Sequence, residues 1–133
     1  MNRIRDKIEE IQNFLEELET ILPKNFEEYI HSIEKKAACE RYFEKIIESV
    51  NDLAYLIIKK ERFSIPEESK SFETLFENKL ISEKIFLKLK NAKGMRNIIA
   101  HKYGEVEDEL IFESLTEELI QDIERFLEEI DIN

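Results

Sequence analysis

Arg96, Asn97, His101 and Tyr103 fall within eight positions, in the run Met95-Arg96-Asn97-Ile98-Ile99-Ala100-His101-Lys102-Tyr103-Gly104. An arginine can grip a phosphate through a charge-assisted fork. A histidine can move a proton near neutral pH. Asn97 and His101 are four apart, so on a helix they share a face, and the amide could fix the tautomer of the imidazole. Arg96 and His101 are five apart, about 140° round an ideal helix, so a long arginine must reach round to share a ligand with the histidine. Together these residue types point to phosphodiester chemistry. The chain shows no phosphate-binding glycine loop, no metal-ligand constellation and no Ser/His/Asp arrangement. The second histidine, His31, has no comparable neighbours and reads as a surface residue. Cys39, the one cysteine, reads as a small buried hydrophobe.

The cluster must be held by helices. Ile4, Ile8, Ile11, Leu15, Leu18 and Leu22 alternate steps of four and three, one apolar stripe on an α-helix. Pro23 ends that helix by disfavouring helical geometry at Leu22. Asn25 is placed to cap a long second helix over 26–62. Its apolar positions start at Ile30, Ile33 and Ala37 and widen from Cys39 to Ile58, as expected of a central helix buried on more than one side. A loop over 63–70 follows. Ser71 is placed to cap a short helix over 72–78, and Ser82 to cap a helix over 83–102 that carries the cluster. Gly94 inside that helix costs roughly 1 kcal/mol against alanine and suggests a close helix contact or a local bend. Gly104 suits a helix C′ position. Asp108 is placed to cap a last helix to about residue 130, with Ile111, Leu115, Leu119, Ile123, Phe126 and Ile130 on its inner face. The expectation is a single all-α domain over 1–133, an antiparallel bundle of four main helices plus one short helix.

Within the fourth helix, Ile85, Leu89, Ala92, Arg96, Ile99 and Tyr103 form the stripe, so Arg96 occupies a position that a bundle normally fills with an apolar residue. A cation there needs a partner. It is either a structural ion pair with a carboxylate of the neighbouring helix, such as Glu40 or Glu44, or part of a site. His101 is either a helix C-terminal histidine favoured by the macrodipole or a proton carrier. Tyr103 reads as a core-edge aromatic, a stacking platform for a base, or a hydroxyl that accepts a modification.

The composition sets bounds. With 133 residues, 42% hydrophobic, 38% charged, two Gly and two Pro, the chain is neither disordered nor turn-rich enough for an all-β fold. One cysteine cannot close an internal disulfide or build a structural zinc site. There is no signal-peptide pattern and no apolar run of about 20 residues, so a cytoplasmic protein off the membrane is expected. The net charge of −11 argues against nucleic acid as an average. Its distribution reverses the argument locally: residues 79–103 hold seven basic residues against Glu83 alone, whereas residues 104–133 hold twelve acidic and one basic. A polyanion needs a local positive field, not a basic total. Lys93 and Lys102 flank the cluster and are candidates for polyanion contact.

Arg96-Asn97-x-x-x-His101-x-Tyr103 on the fourth helix of a small acidic bundle resembles the HEPN superfamily. The pattern Arg-x4-His-x-Tyr resembles its HepT-like branch, the ribonuclease toxins paired with a minimal nucleotidyltransferase antitoxin of the MntA kind (type VII toxin–antitoxin systems). Glu40-Arg41, the apolar run to Ile58, Ile65-Pro66, and the segment from Phe72 through Glu107-Asp108-Glu109 resemble that branch too. The resemblance implies a metal-independent endoribonuclease without a cofactor, acting as a homodimer whose two motifs face each other across a cleft. It implies His101 as general acid/base for attack of a ribose 2′-hydroxyl on the adjacent phosphate, Arg96 as stabiliser of developing charge, and Asn97 as orienting group. It implies Tyr103 as the residue to which the antitoxin attaches AMP, and Glu40 as a supporting residue behind the site. Two rivals stand beside this reading. One is a HEPN module that binds a nucleotidyltransferase or a nucleotide without cutting RNA; the other is a purely structural helical dimer. High Glu, Lys and Ile content also hints at a heat-loving source.

Overall fold

The computed structural model describes residues 2–67, 70–101 and 107–131, so Lys102, Tyr103 and Gly104 lie outside the described residues. The described chain is all α-helical and runs as an antiparallel bundle. Helix α1 (Arg3–Ile21) starts at Asn2, whose side chain accepts from the Arg5 amide, and stops where Leu22 leaves helical geometry before Pro23. Its stripe buries Ile11, Leu15 and Leu18 against the central helix.

The long helix expected over 26–62 is two. Helix α2 (Phe26–His31) is capped by Asn25, and helix α3 (Ile33–Lys60) is capped anew by Ser32, whose extended backbone breaks the run and whose hydroxyl accepts from the Lys35 amide. The break lets α2 turn away and lay Tyr29 and Phe26 against Phe112 at 5.1 and 5.9 Å between ring centroids. It also leaves Ile33 and Ala37 exposed rather than on the apolar face. From Cys39 on, α3 is the expected central helix, with Phe43, Ile46, Ile47, Val50, Leu53, Ala54 and Ile58 buried.

Helix α4 (Ser71–Glu77) does not use Ser71 as its cap; that hydroxyl donates instead to the side-chain carbonyl of Asn51, tying α4 to α3. Helix α5 (Glu83–His101) begins as expected on Ser82, whose hydroxyl accepts from the Ile85 amide and donates to Glu129. Gly94 faces open space, with no atom within 4 Å of where a Cβ would stand, so it marks no close helix contact.

The last helix is continuous but changes pitch. Helix α6 (Asp108–Glu113) passes through a π-helical turn (Ser114–Glu118), closed by the Leu119 amide on the Ser114 carbonyl, into helix α7 (Leu119–Asp131). The wide turn falls within the stripe. Ile111, Leu115, Leu119 and Ile123 step by four each time, and on a regular helix three such steps would drift about 120° round the axis. One widened turn keeps all four buried. Asp108 does not cap; Glu107 precedes the helix, and the Asp108 carboxylate pairs with Lys36 at 3.3 Å. In the assembled bundle α1 and α5 pack on α3, α7 packs on α5, and α4 wedges between α3 and α5. No helix among the described residues is long and apolar enough to cross a membrane.

Candidate active site

On α5 the stripe buries Ile85, Leu89 and Ile99, but it gives way between them: Ala92 and Arg96 are only half-buried. Here the helices part into a cleft of about 340 Å³, lined by Ile47, Glu48, Asn51 and Asp52 of α3 and by Lys93, Arg96 and Asn97 of α5. Arg96 therefore faces an opening, not a dry core. Its guanidinium donates to the Glu48 carboxylate at 2.5 Å and to the side-chain carbonyl of Asn97 at 3.1 Å, while its Nε is buried with no acceptor among the described residues. The pair is not sealed, since the side chains keep 28% (Arg96) and 42% (Glu48) of their exposure.

The carboxylate that holds Arg96 is thus neither Glu40 nor Glu44 but the next acidic residue along the same row of α3. Glu40 stands two turns away, mostly buried, and engages Lys36 at 3.4 Å; Lys36 in turn bridges to Asp108. Glu44 pairs with Arg41. Glu40 is accordingly not beside the cleft, and Glu48 is the residue that sequence reasoning missed.

Helix α4 packs on α3 and α5 beside the cleft without lining it. Phe72 is buried, and the Lys93 ammonium sits 5.7 Å from its ring centroid. Asn51 is fixed by Ser71. Asp52, at the rim, lies 3.7 Å from Lys7 of α1. The lining thus holds two cations, Lys93 and Arg96, two carboxylates, Glu48 and Asp52, and the amides of Asn51 and Asn97. Such a lining can hold one phosphate and offers hydrogen-bond groups of both kinds to what the phosphate is attached to.

His101 is exposed in the last turn of α5 and is not among the residues lining this cleft. Within one chain the structure brings Arg96, Asn97 and Lys93 together and leaves His101 about 7.5 Å further along the helix axis. Tyr103 and Lys102 lie outside the described residues. His31 is exposed at the end of α2, with its Nδ1 3.0 Å from the Glu27 carbonyl. Cys39 is buried, and burial pushes its thiol up to about 11, so it stays a neutral small hydrophobe. Among the described residues no group of three or more His, Cys, Asp or Glu is placed to hold a metal ion.

A helical bundle whose helices α3 and α5 part round an arginine, with a histidine at the end of α5, is the arrangement expected of a HEPN-type domain. The comparisons agree with that class and narrow it. A family model described as ribonuclease HepT-like matches residues 5–130. A candidate RNase of Archaeoglobus fulgidus is 31% identical over 91 residues, covering 64% of this chain and 69% of that one. The mRNA nuclease HepT of Shewanella oneidensis is 31% identical over 88 residues, 65% of each chain. Among solved structures, the tri-AMPylated HEPN toxin of Shewanella oneidensis, in complex with its MNT antitoxin, superposes with a TM-score of 0.91 over the full length of both chains at 23% identity. The chain belongs to the HepT-like ribonuclease family.

Proposed function

We propose that this chain is a metal-independent endoribonuclease toxin that cuts RNA by internal transfer. The ribose 2′-oxygen attacks the adjacent phosphorus, the new P–O2′ bond forms as the P–O5′ bond breaks, and the products are a 2′,3′-cyclic phosphate and a 5′-hydroxyl. His101 takes the proton from the 2′-hydroxyl or delivers one to the leaving oxygen. Arg96 binds the phosphate and stabilises the charge that grows on it. Asn97 holds the guanidinium, and Lys93, one turn back on α5, faces the neighbouring backbone phosphate, with Lys102 a further contact.

The observation that carries this reading is the guanidinium at the mouth of a half-open cleft, on a stripe position where a scaffold would place a leucine. Because His101 lies outside that cleft, the reading requires a homodimer, in which one chain's histidine approaches a site completed by its partner. The Shewanella oneidensis nuclease named for mRNA supports RNA as substrate. The AMPylated toxin in complex with its antitoxin supports an MntA-like nucleotidyltransferase as partner. Transfer of AMP from ATP to the Tyr103 oxygen, with loss of pyrophosphate, would put negative charge and bulk beside the site and repel RNA.

The test compares RNA cleavage by wild type and His101→Ala in EDTA. Wild type is expected to cut and leave a cyclic phosphate end, and the variant to lose cutting; cleavage retained by the variant removes His101 from the mechanism. Incubation with the partner transferase and ATP should add AMP to wild type by intact mass and abolish cleavage, while Tyr103→Phe should stay unmodified at that position and active. A wild type that binds the transferase tightly yet cuts no RNA would instead be a binding module.

A further inference from the structure

We propose that Glu48 is a positioning residue for RNA cleavage, an inference that rests on the ribonuclease reading above. A guanidinium has five N–H bonds. In this structure one is given to Glu48 and one to Asn97, and the Nε–H is buried with no acceptor among the described residues. Two N–H bonds, one on each terminal nitrogen, are left for an incoming phosphate, enough for one bidentate fork.

The two groups that aim this fork are unequal. Asn97 is Arg96's neighbour on α5 and moves with it, so it cannot fix the guanidinium relative to the rest of the cleft. Glu48 belongs to α3, the buried central helix, and it is the one acceptor among the described residues that ties the guanidinium to a second element. The buried, unpaired Nε shows that the arginine is not placed by saturation of its own donors. The short contact to Glu48 places it.

Glu48 also sets the charge of the cleft. With Glu48 ionised, the two carboxylates and two cations of the lining cancel. Glu48→Gln keeps the shape and one acceptor, removes the ion pair, and leaves the cleft with one net positive charge. Aim and attraction should then change in opposite directions: RNA is held as well or better, yet cut more slowly. A residue that served stability alone would not split the two.

The experiment measures steady-state cleavage of a single-stranded RNA by wild type, Glu48→Gln and Glu48→Asp, together with the resonance of the Arg96 Nη–H given to Glu48 by NMR, assigned from its loss in Arg96→Lys. Glu48→Gln is expected to lower kcat about 10- to 100-fold, the range for a misaimed catalytic group, with KM equal or lower. Its Arg96 resonance should move to the position shared by exposed arginines. Glu48→Asp, which restores the charge, should recover part of kcat. An unchanged kcat in Glu48→Gln, or a higher KM with kcat intact, overturns the proposal. If Glu48→Gln does not fold, the same two readouts on Glu48→Asp decide. If wild type cuts no RNA, the ribonuclease reading fails, and the Arg96 resonance still reports whether Glu48 holds the guanidinium.

Discussion

Arg96→Lys separates the fork from the charge, and its cost follows from counting donors. Arg96 already gives one N–H to Glu48 and one to Asn97. Binding a phosphate bidentately asks for two more, four in all. A lysine ammonium has three donors on one nitrogen and no planar edge. At least one bond must be given up, and in the transition state it is a charge-assisted one worth about 1.5–3 kcal/mol. At 1.36 kcal/mol per tenfold, kcat should fall about 10- to 150-fold. The net charge of the cleft is unchanged, so KM and the dependence of RNA binding on salt should stay where they are. Arg96→Ala loses the charge as well and strands Glu48 in the cleft, so it should raise KM besides. The assay is single-turnover and steady-state cleavage of one defined RNA across a salt series. A lysine variant as fast as wild type would refute the argument, because charge alone would then suffice. So would one whose whole defect lies in KM.

Two further outcomes test the structure round the site. Tyr29 is fully buried beside Glu40 and Asp108, its hydroxyl has no acceptor among the described residues, and burial followed by those carboxylates keeps the phenol neutral far above its usual range. Tyr29→Phe removes a stranded donor and should stabilise the protein by about 1 kcal/mol, seen as a melting temperature about 4 °C higher; a loss of similar size would show that the hydroxyl has a partner. Gly94→Ala places a methyl group in open space in mid-helix and should add about 0.5–1 kcal/mol by chemical denaturation; a loss would mean that another chain covers this face of α5.

Much of the fold is written in local periodicity. The α1 stripe, the stop before Pro23, the Ser82 cap and the inward face of the last helix are each set by neighbours within one or two turns. The misses share a different origin. The second helix breaks at Ser32 without a glycine or proline to announce it, because the gain comes from a distant partner: the turn puts Tyr29 and Phe26 on Phe112, about eighty residues on. Ser71 is suited by type to cap α4, but Asn51 of α3 takes its hydroxyl. In both cases tertiary contacts outrank a local preference of about 1 kcal/mol. The π turn was not read from the sequence either, because spacing four alone does not demand one: Ile46, Val50, Ala54 and Ile58 keep that spacing buried on the regular helix α3.

The site shows the same division at the level of one residue. That Arg96 needs a carboxylate from the facing helix follows from its place on an apolar stripe. Which carboxylate does not follow, because Glu40, Glu44 and Glu48 repeat at spacing four along one row of α3, and sliding α5 by one turn exchanges one for the next. The register is fixed elsewhere, by Ile85 and Leu89 in the core, by Ser82 on Glu129 of α7, and by α4, which holds Phe72 under Lys93 and Ser71 on Asn51. These contacts set Arg96 against Glu48 in the middle of α3, where the helices part, and leave Glu40 to Lys36 at the other end of the row. The need of Arg96 for a carboxylate was legible because it depends on residue type; the choice of Glu48 was not, because it depends on which of three equivalent turns the packing selects.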